Sequence, residues 1–292
     1  MPSIDYFDYN DIKVGFGTFK YPPVLIGTMF YQGQRLIEYN DPAKFNKEKA
    51  LKRINKQFQL SNQYKIPALI EISADTPDAM VKYLEFYFDH FKPPLVLGGT
   101  IDARIAGLDY LHENGYKRED YIYNAISNLK NGKELEQFKK FSIQSAVILI
   151  LASPNMTSTQ RFSYITEKSQ PNNESILTGL QKLGVERIWV DGGVVNIESL
   201  VHILETQKLI STSLSLPVGT ASNLFLFKYS SPRLNIKFHT RYRRSSIMFI
   251  ASWYSNFIFY GAIEDATECF ASAAQSFEFK KTCEETKVKL LD

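Results

Sequence analysis

Short apolar runs recur along the chain, and each is followed by a longer stretch of helical or mixed character. Eight such runs stand out: Val24–Phe30, Ala68–Ser73, Leu95–Leu97, Tyr121–Ile126, Ala146–Leu151, Arg187–Val190, Pro217–Thr220 and Phe257–Tyr260. A short, nearly continuous apolar run suits a strand covered on both faces. Helical sequence between successive strands makes them parallel, because a parallel connection needs a crossover of a dozen or more residues. Eight β–α units predict an α/β fold, a closed (β/α)8 TIM barrel occupying residues 1–292 as one domain. A doubly wound open sheet is the alternative, although no strand is followed by the glycine fingerprint GxGxxG.

The helical stretches carry their own boundary signals. Asn46 stands before the periodic segment ending at Tyr64, as an N-cap would. Thr76 precedes Pro77 and Asp78, the order that starts a helix, and Met80, Val81, Leu84, Tyr87 and Phe88 then recur at helical spacing. Gly115 closes the helix from Ile101, and Gly184 closes Ile176–Leu183. Helices are also predicted over Glu134–Phe141, over Glu198–Ile210 and onward from Glu264. The segment Leu224–Ser246 is aromatic, basic and poorly periodic.

A net charge of +3 gives no argument for nucleic acid. The two cysteines, Cys269 and Cys283, have no CxxC spacing and no neighbouring His pair, so they read as free thiols in a reducing compartment and not as metal ligands. Met1–Asp11 contains acids and no apolar run, unlike a signal peptide. The uncharged stretch Ile247–Ile263 contains Ser252, Ser255 and Asn256, and reads as a buried helix followed by a buried strand. The expectation is a cytoplasmic protein with no metal, no membrane insertion and no nucleic-acid partner.

In a (β/α)8 barrel the chemistry lies at the C-terminal ends of the strands. That rule selects Tyr31, Glu71, Ser73, Thr100, Asn124, Ser127, Ser153, Asn155, Asp191, Asn223 and Tyr260. The set holds no His and no Cys, and the chain has no HExxH and no GxSxG elbow. Its amides and hydroxyls suit a flat, polar, hydrogen-bonding ligand. Glu71 and Asp191 also allow a carboxylate pair for a hydrolase of glycosides. Each residue has a plainer reading too: Asn124 as a turn cap, Asp191-Gly192 as an ordinary turn, and Asn223 as the N-cap of the seventh helix. His90, His112, His202 and His239 fall in helices or in the basic segment and read as structural or exposed.

Several segments, in order, resemble one family. Val24-Leu25-Ile26-Gly27-Thr28-Met29-Phe30-Tyr31 is similar to the first strand of the pterin-dependent methyltransferases typified by the H subunit of tetrahydromethanopterin S-methyltransferase. Asp75–Tyr83, Ala103–Gly107, Tyr123–Ile126, Leu216–Asn223 and Tyr260–Ala266 resemble later parts of the same family, and the match runs from about Val24 to Ala273.

The resemblance implies a barrel of the pterin-binding, dihydropteroate synthase-like type. It implies methyl transfer between a reduced pterin, either tetrahydromethanopterin or tetrahydrofolate, and a corrinoid (cobalamin) carried by a partner protein. A homodimer working with a corrinoid protein or with other subunits of a methyltransferase complex is the expected assembly. Asn124 and Asp191 correspond to pterin-holding residues, and Asn223 to the catalytic Asn near the methylated nitrogen. Gly98 stands where the family carries an Asp, within Leu97-Gly98-Gly99-Thr100. The missing contact is expected to come from Thr100, Asp102 or water, with Glu71 a further pterin-binding candidate, and Gly98→Asp is expected to tighten binding. Arg241, Arg243 and Arg244, in the densest basic cluster, are expected on a loop that docks an acidic corrinoid protein; a solvated surface is the plainer reading. The departure at Gly98 leaves a second possibility, a non-catalytic pterin-binding or scaffolding relative.

Overall fold

A computed structural model describes residues 5–17, 20–38, 41–151, 153, 155–168, 173–193, 197–221 and 240–286; at 197–198 and 240–244 only the helical backbone is described. The order begins with an antiparallel hairpin, β1 (Tyr6–Tyr9) and β2 (Ile12–Gly15), then β3 (Val24–Met29) and a second hairpin, β4 (Ile37–Glu38) and β5 (Asp41–Phe45). Strands and helices then alternate: α1 (Lys47–Tyr64), β6 (Ala68–Ala74), α2 (Pro77–His90), β7 (Leu95–Gly99), α3 (Ile101–Glu113), β8 (Tyr121–Ile126), α4 (Gly132–Phe141) and β9 (Ser145–Leu149). After β9 come α5 (Ser158–Thr166), α6 (Ile176–Lys182), β10 (Arg187–Asp191), α7 (Ile197–Leu214), β11 (Val218–Ala221), α8 (Thr240–Ala251), β12 (Phe257–Ala262) and α9 (Ala266–Glu285).

The strands close in the order β10-β11-β12-β3-β6-β7-β8-β9, every neighbouring pair parallel. All eight coincide with the apolar runs of the sequence to within two residues at each end. The cap signals act as expected. Asn46 accepts the Lys49 N–H at 2.9 Å, and Thr76 accepts that of Ala79 at 3.3 Å with Pro77 opening the helix. Each cap satisfies a donor that the first helical turn leaves free, worth about 1 kcal/mol.

Two apolar shells follow from the pleat. One set of strand side chains, including Ile70, Ile72, Leu95, Leu97, Ile148 and Val190, packs outward against the helices. The alternate set, Val24, Ile26, Leu69, Val96, Ile122, Val147, Trp189, Phe257 and Phe259, fills the barrel. The N-terminal hairpin joins this inner cluster through Tyr9 and Val14, both fully buried. The Tyr9 hydroxyl donates to Ser145 Oγ at 3.1 Å and accepts from Trp189 Nε1 at 3.1 Å. Because Ser145 begins β9, the hairpin stoppers the end of the barrel where the strands start.

Four elements escape the periodicity. The two hairpins are too short to show a period, and α5 is a nine-residue helix set by a Thr157–Gln160 capping box. Helix α8 runs through Arg241, Arg243 and Arg244, which corrects the expectation of a loop there; their backbone forms its first turn. Lys228, Arg233, Lys237 and His239 lie outside the described residues. No described helix is long and apolar enough to cross a membrane.

Candidate functional site

At the opposite end the inner side chains change character. Above the layer of Leu69, Val96, Ile122 and Val147, the inward positions become Thr28, Glu71, Gly98, Asn124, Leu149 and Asp191. They surround a cavity of about 480 Å³ at the C-terminal ends of the strands. Phe259, Leu149, Ala125, Ala221 and Ala262 give it apolar walls, while Glu71, Asn124, Asp191, Thr28, Tyr31 and Arg104 give it polar groups. A volume of this size with few convergent polar groups suits a small planar ligand.

Glu71 is 8% exposed. Its Oε2 accepts from Thr28 Oγ1 at 2.6 Å and its Oε1 from Asn124 Nδ2 at 2.7 Å. Burial pushes the Glu71 carboxyl up from its ordinary value, against those two hydrogen bonds and the charge of Arg104. A carboxylate offers about four acceptor positions, so two bonds leave capacity for a ligand. A Cβ placed on Gly98 would lie 2.3 Å from Glu71 Oε1. The carboxylate of β6 thus fills the space that a side chain on β7 would take.

Asp191, at the end of β10, is 4% exposed. Its Oδ1 accepts the Gly193 N–H at 2.8 Å, and the Ala221 backbone also donates to the carboxylate. Burial pushes Asp191 up to about 6; these amides and Arg161 oppose the rise, and the charge of Glu71 adds to it. Arg161, wholly buried on α5, donates to the carbonyls of Gly192 and Gly193, the latter at 3.0 Å, and so holds the turn that presents Asp191. Arg161 is not among the residues expected from the sequence. Its signal is spacing, since it lies one helical turn before the buried Ile165.

Arg104 joins the cavity to the helices behind it. Its guanidinium bonds Glu134 at 2.7 Å and the Gly99 carbonyl at 2.5 Å, and Tyr123 donates to the same Glu134 oxygen at 2.6 Å. Beyond Arg104 lies a second, polar cavity of about 340 Å³ lined by Ser127, Asn128, Lys130 and Asn131 among others.

The structure brings Glu71, Asn124, Asp191 and Tyr31 together and separates them from other expected residues. Thr100 is exposed and caps α3, accepting from Ala103 N–H at 3.3 Å and donating to the Asp75 carbonyl at 3.1 Å. Asp102 points to solvent and pairs with Lys133 at 2.6 Å. Neither lines the cavity: the helix begins at once after β7, and its first turn carries both side chains away. The expectation that they replace an acid at Gly98 is corrected, because Glu71 already occupies that space. Tyr260 faces outward, where its hydroxyl donates to Gln57 in the shell under α1. Its neighbours Phe259 and Gly261 line the cavity instead. Asn223 lies outside the described residues, as do the side chains of Arg241, Arg243 and Arg244. His90, His112 and His202 sit on α2, α3 and α7, and none of them lines the cavity.

The family model of the tetrahydromethanopterin S-methyltransferase MtrH subunit matches residues 5–289. The H subunit of tetrahydromethanopterin S-methyltransferase from Methanothermobacter thermautotrophicus is 27% identical over 215 residues, covering 73% of this chain and 69% of that protein. The H subunit of the same enzyme from Methanopyrus kandleri is 25% identical over 217 residues, 73% of this chain and 67% of that protein. Among solved structures, a dihydropteroate synthase of Yersinia pestis in complex with a sulfonamide drug superposes with a TM-score of 0.61 at 14% identity, covering 95% of this chain and 99% of that one. The dihydropteroate synthase of Xanthomonas albilineans in complex with 7,8-dihydropteroate gives 0.59 at 11% identity, over 96% and 99%. At such identities the structural likeness speaks for the fold.

Proposed function

The chain belongs to the family of the tetrahydromethanopterin S-methyltransferase MtrH subunit, and from that membership and the cavity we propose that it moves a methyl group between a reduced pterin and a corrinoid carried by a partner protein. The observation that carries the proposal is the pair of buried carboxylates, Glu71 and Asp191, with Asn124 between apolar walls at the barrel mouth. Tetrahydromethanopterin is the methyl carrier in the names of the relatives; tetrahydrofolate has the same donor edge and is the second candidate.

The residues present fit such a ligand. A reduced pterin carries adjacent N–H donors on a guanidine-like edge, and a carboxylate accepts two parallel bonds from such an edge. Asn124, whose amide also donates to Glu71, leaves its carbonyl for the ring's donors. Phe259 and Leu149 offer apolar contact to the ring. A tertiary ring amine leaves poorly, and a hydrogen bond or a proton at that nitrogen lowers the barrier to its demethylation. Asn223, carried over from the family resemblance, is the residue assigned to that nitrogen. The corrinoid supplies the nucleophilic or methylated metal centre from the partner, and Arg241, Arg243 and Arg244 are assigned to docking an acidic partner. In this reading the enzyme is a cytoplasmic homodimer that acts with a corrinoid protein or other complex subunits.

Single-turnover methyl transfer from methylated tetrahydromethanopterin to reduced cobalamin, free and protein-bound, tests the reading. Transfer is expected with both acceptors. Charge reversal at the three arginines should slow transfer to the protein-bound corrinoid alone, and the effect should fade as salt rises. No transfer to either acceptor by the wild type would refute the enzyme; an equal loss with both acceptors would refute the docking role.

A further inference from the structure

Gly98 and Gly99 are both glycines for steric reasons, but the reasons differ. Gly99 has a φ of +96°, and a Cβ there would lie 2.1 Å from the Ala74 carbonyl oxygen, so the backbone itself demands glycine. A Cβ on Gly98 would instead meet only one side chain within 4 Å among its three nearest atoms: Glu71, at 2.3 Å from Oε1 and 3.0 Å from Cδ and Cγ. Glu71 cannot simply swing aside, because Thr28 and Asn124 hold its two oxygens. It is a buried carboxylate lining the cavity, reached from β6 by a longer side chain than an aspartate on β7 would need.

We infer that Glu71 and Gly98 form one unit, in which the carboxylate that grips the pterin's donor edge is delivered from β6 across the gap left on β7, so that neither residue can be exchanged alone. This rests on the pterin reading given above. Two carboxylates then flank the ligand, Glu71 on one side and Asp191 on the other, and a ligand with N–H donors toward both is selected over one without them. An acid added at position 98 would crowd Glu71 and set a like charge against it, so Gly98→Asp by itself weakens binding. That reverses the expectation drawn from the sequence.

The test is calorimetric binding of tetrahydromethanopterin to four proteins, with thermal unfolding of each as a check on the fold. Glu71→Ala should weaken binding roughly 10–100-fold, the usual consequence of losing a hydrogen bond to a charged group. Gly98→Asp should weaken it by a similar factor. The double variant Glu71→Ala/Gly98→Asp should recover to within about tenfold of wild type, since Thr28 and Asn124 can then donate to the new carboxylate. A purely structural role for Glu71 would not give that rescue. If Gly98→Asp does not fold, Gly98→Ala poses the same steric question, and weaker binding is again expected. Wild type that binds while Gly98→Asp is neutral or tighter, or a double variant no better than the worse single one, overturns the unit and leaves the pterin reading intact. Wild type that does not bind the pterin overturns both.

Discussion

The two ends of the barrel are made from the same eight strands and are chemical opposites. Where the strands begin, Tyr9, Val14, Val24, Trp189 and Phe257 pack under the N-terminal hairpin, and the polar atoms of Tyr9, Ser145 and Trp189 satisfy one another. Where the strands end, Glu71 and Asp191 are buried at a desolvation cost that raises the pKa of each. Burying a charge is unfavourable unless it is paired, and these two are compensated by amides and hydroxyls only in part. One end therefore supports the fold, and the other accepts a less stable arrangement that a ligand can complete.

The largest effect expected from this contrast is at the closed end. Tyr9→Ala removes a buried aromatic ring and leaves the Trp189 N–H without its acceptor. It should destabilise the protein by about 3–5 kcal/mol, as other large-to-alanine core substitutions do. Urea unfolding measures this, and pterin affinity of the folded protein should stay at the wild-type value. A loss of affinity comparable to the loss of stability would break the separation between the two ends.

The next effect belongs to the open end and depends on pH. Asp191 has a folded pKa of about 6 against an ordinary 3.8, so the native state binds its proton more tightly than the unfolded state. Stability contributed by that proton is fully present below about pH 4, falls as pH rises to about 6 and is level above it, a change of about 3 kcal/mol. Glu71 and Arg161, the charged groups that act on Asp191, shift it in opposite directions. Asp191→Asn should remove this component. Urea unfolding from pH 4 to 8 should show the variant gaining on wild type through that window, and parallel curves would count against a buried, proton-binding Asp191.

How legible the molecule is from its sequence follows the same division. The eight strands and the caps at Asn46 and Thr76 are local signals, written within a few residues, and they place the barrel and its mouth. Asp191 ends its strand, Asn124 and Glu71 stand two and three residues before the ends of theirs, and all three face inward where the mouth rule places the chemistry. Tyr260 does not, because Phe259 and Tyr260 are both apolar enough for either face and only the closed barrel settles which turns in. Thr100 and Asp102 belong to the helix that starts one residue after β7, so nearness in sequence misleads. The filling of Gly98 by Glu71 and the support of Asp191 by Arg161 are contacts between elements, and no spacing along the chain encodes them.

The smallest predicted effect tests the closed end again. Tyr9→Phe keeps the ring and removes the hydroxyl that joins Ser145 to Trp189. A loss of about 1–2 kcal/mol in urea unfolding is expected, the cost of a buried donor left without an acceptor. A neutral result would mean that the Tyr9 hydroxyl adds nothing to the apolar packing and the Arg187–Asp8 and Asn10–Pro93 hydrogen bonds that also hold the hairpin.

In the proposed function the mouth holds a reduced pterin through its buried carboxylates. Calorimetric titration of tetrahydromethanopterin into wild type and Asp191→Ala measures this most directly, because the substitution removes one carboxylate and leaves the closed end untouched. A folded variant that binds more weakly by about 2–4 kcal/mol is expected, as for truncating one partner of a buried charge-assisted pair. Equal affinity in the two folded proteins would contradict it.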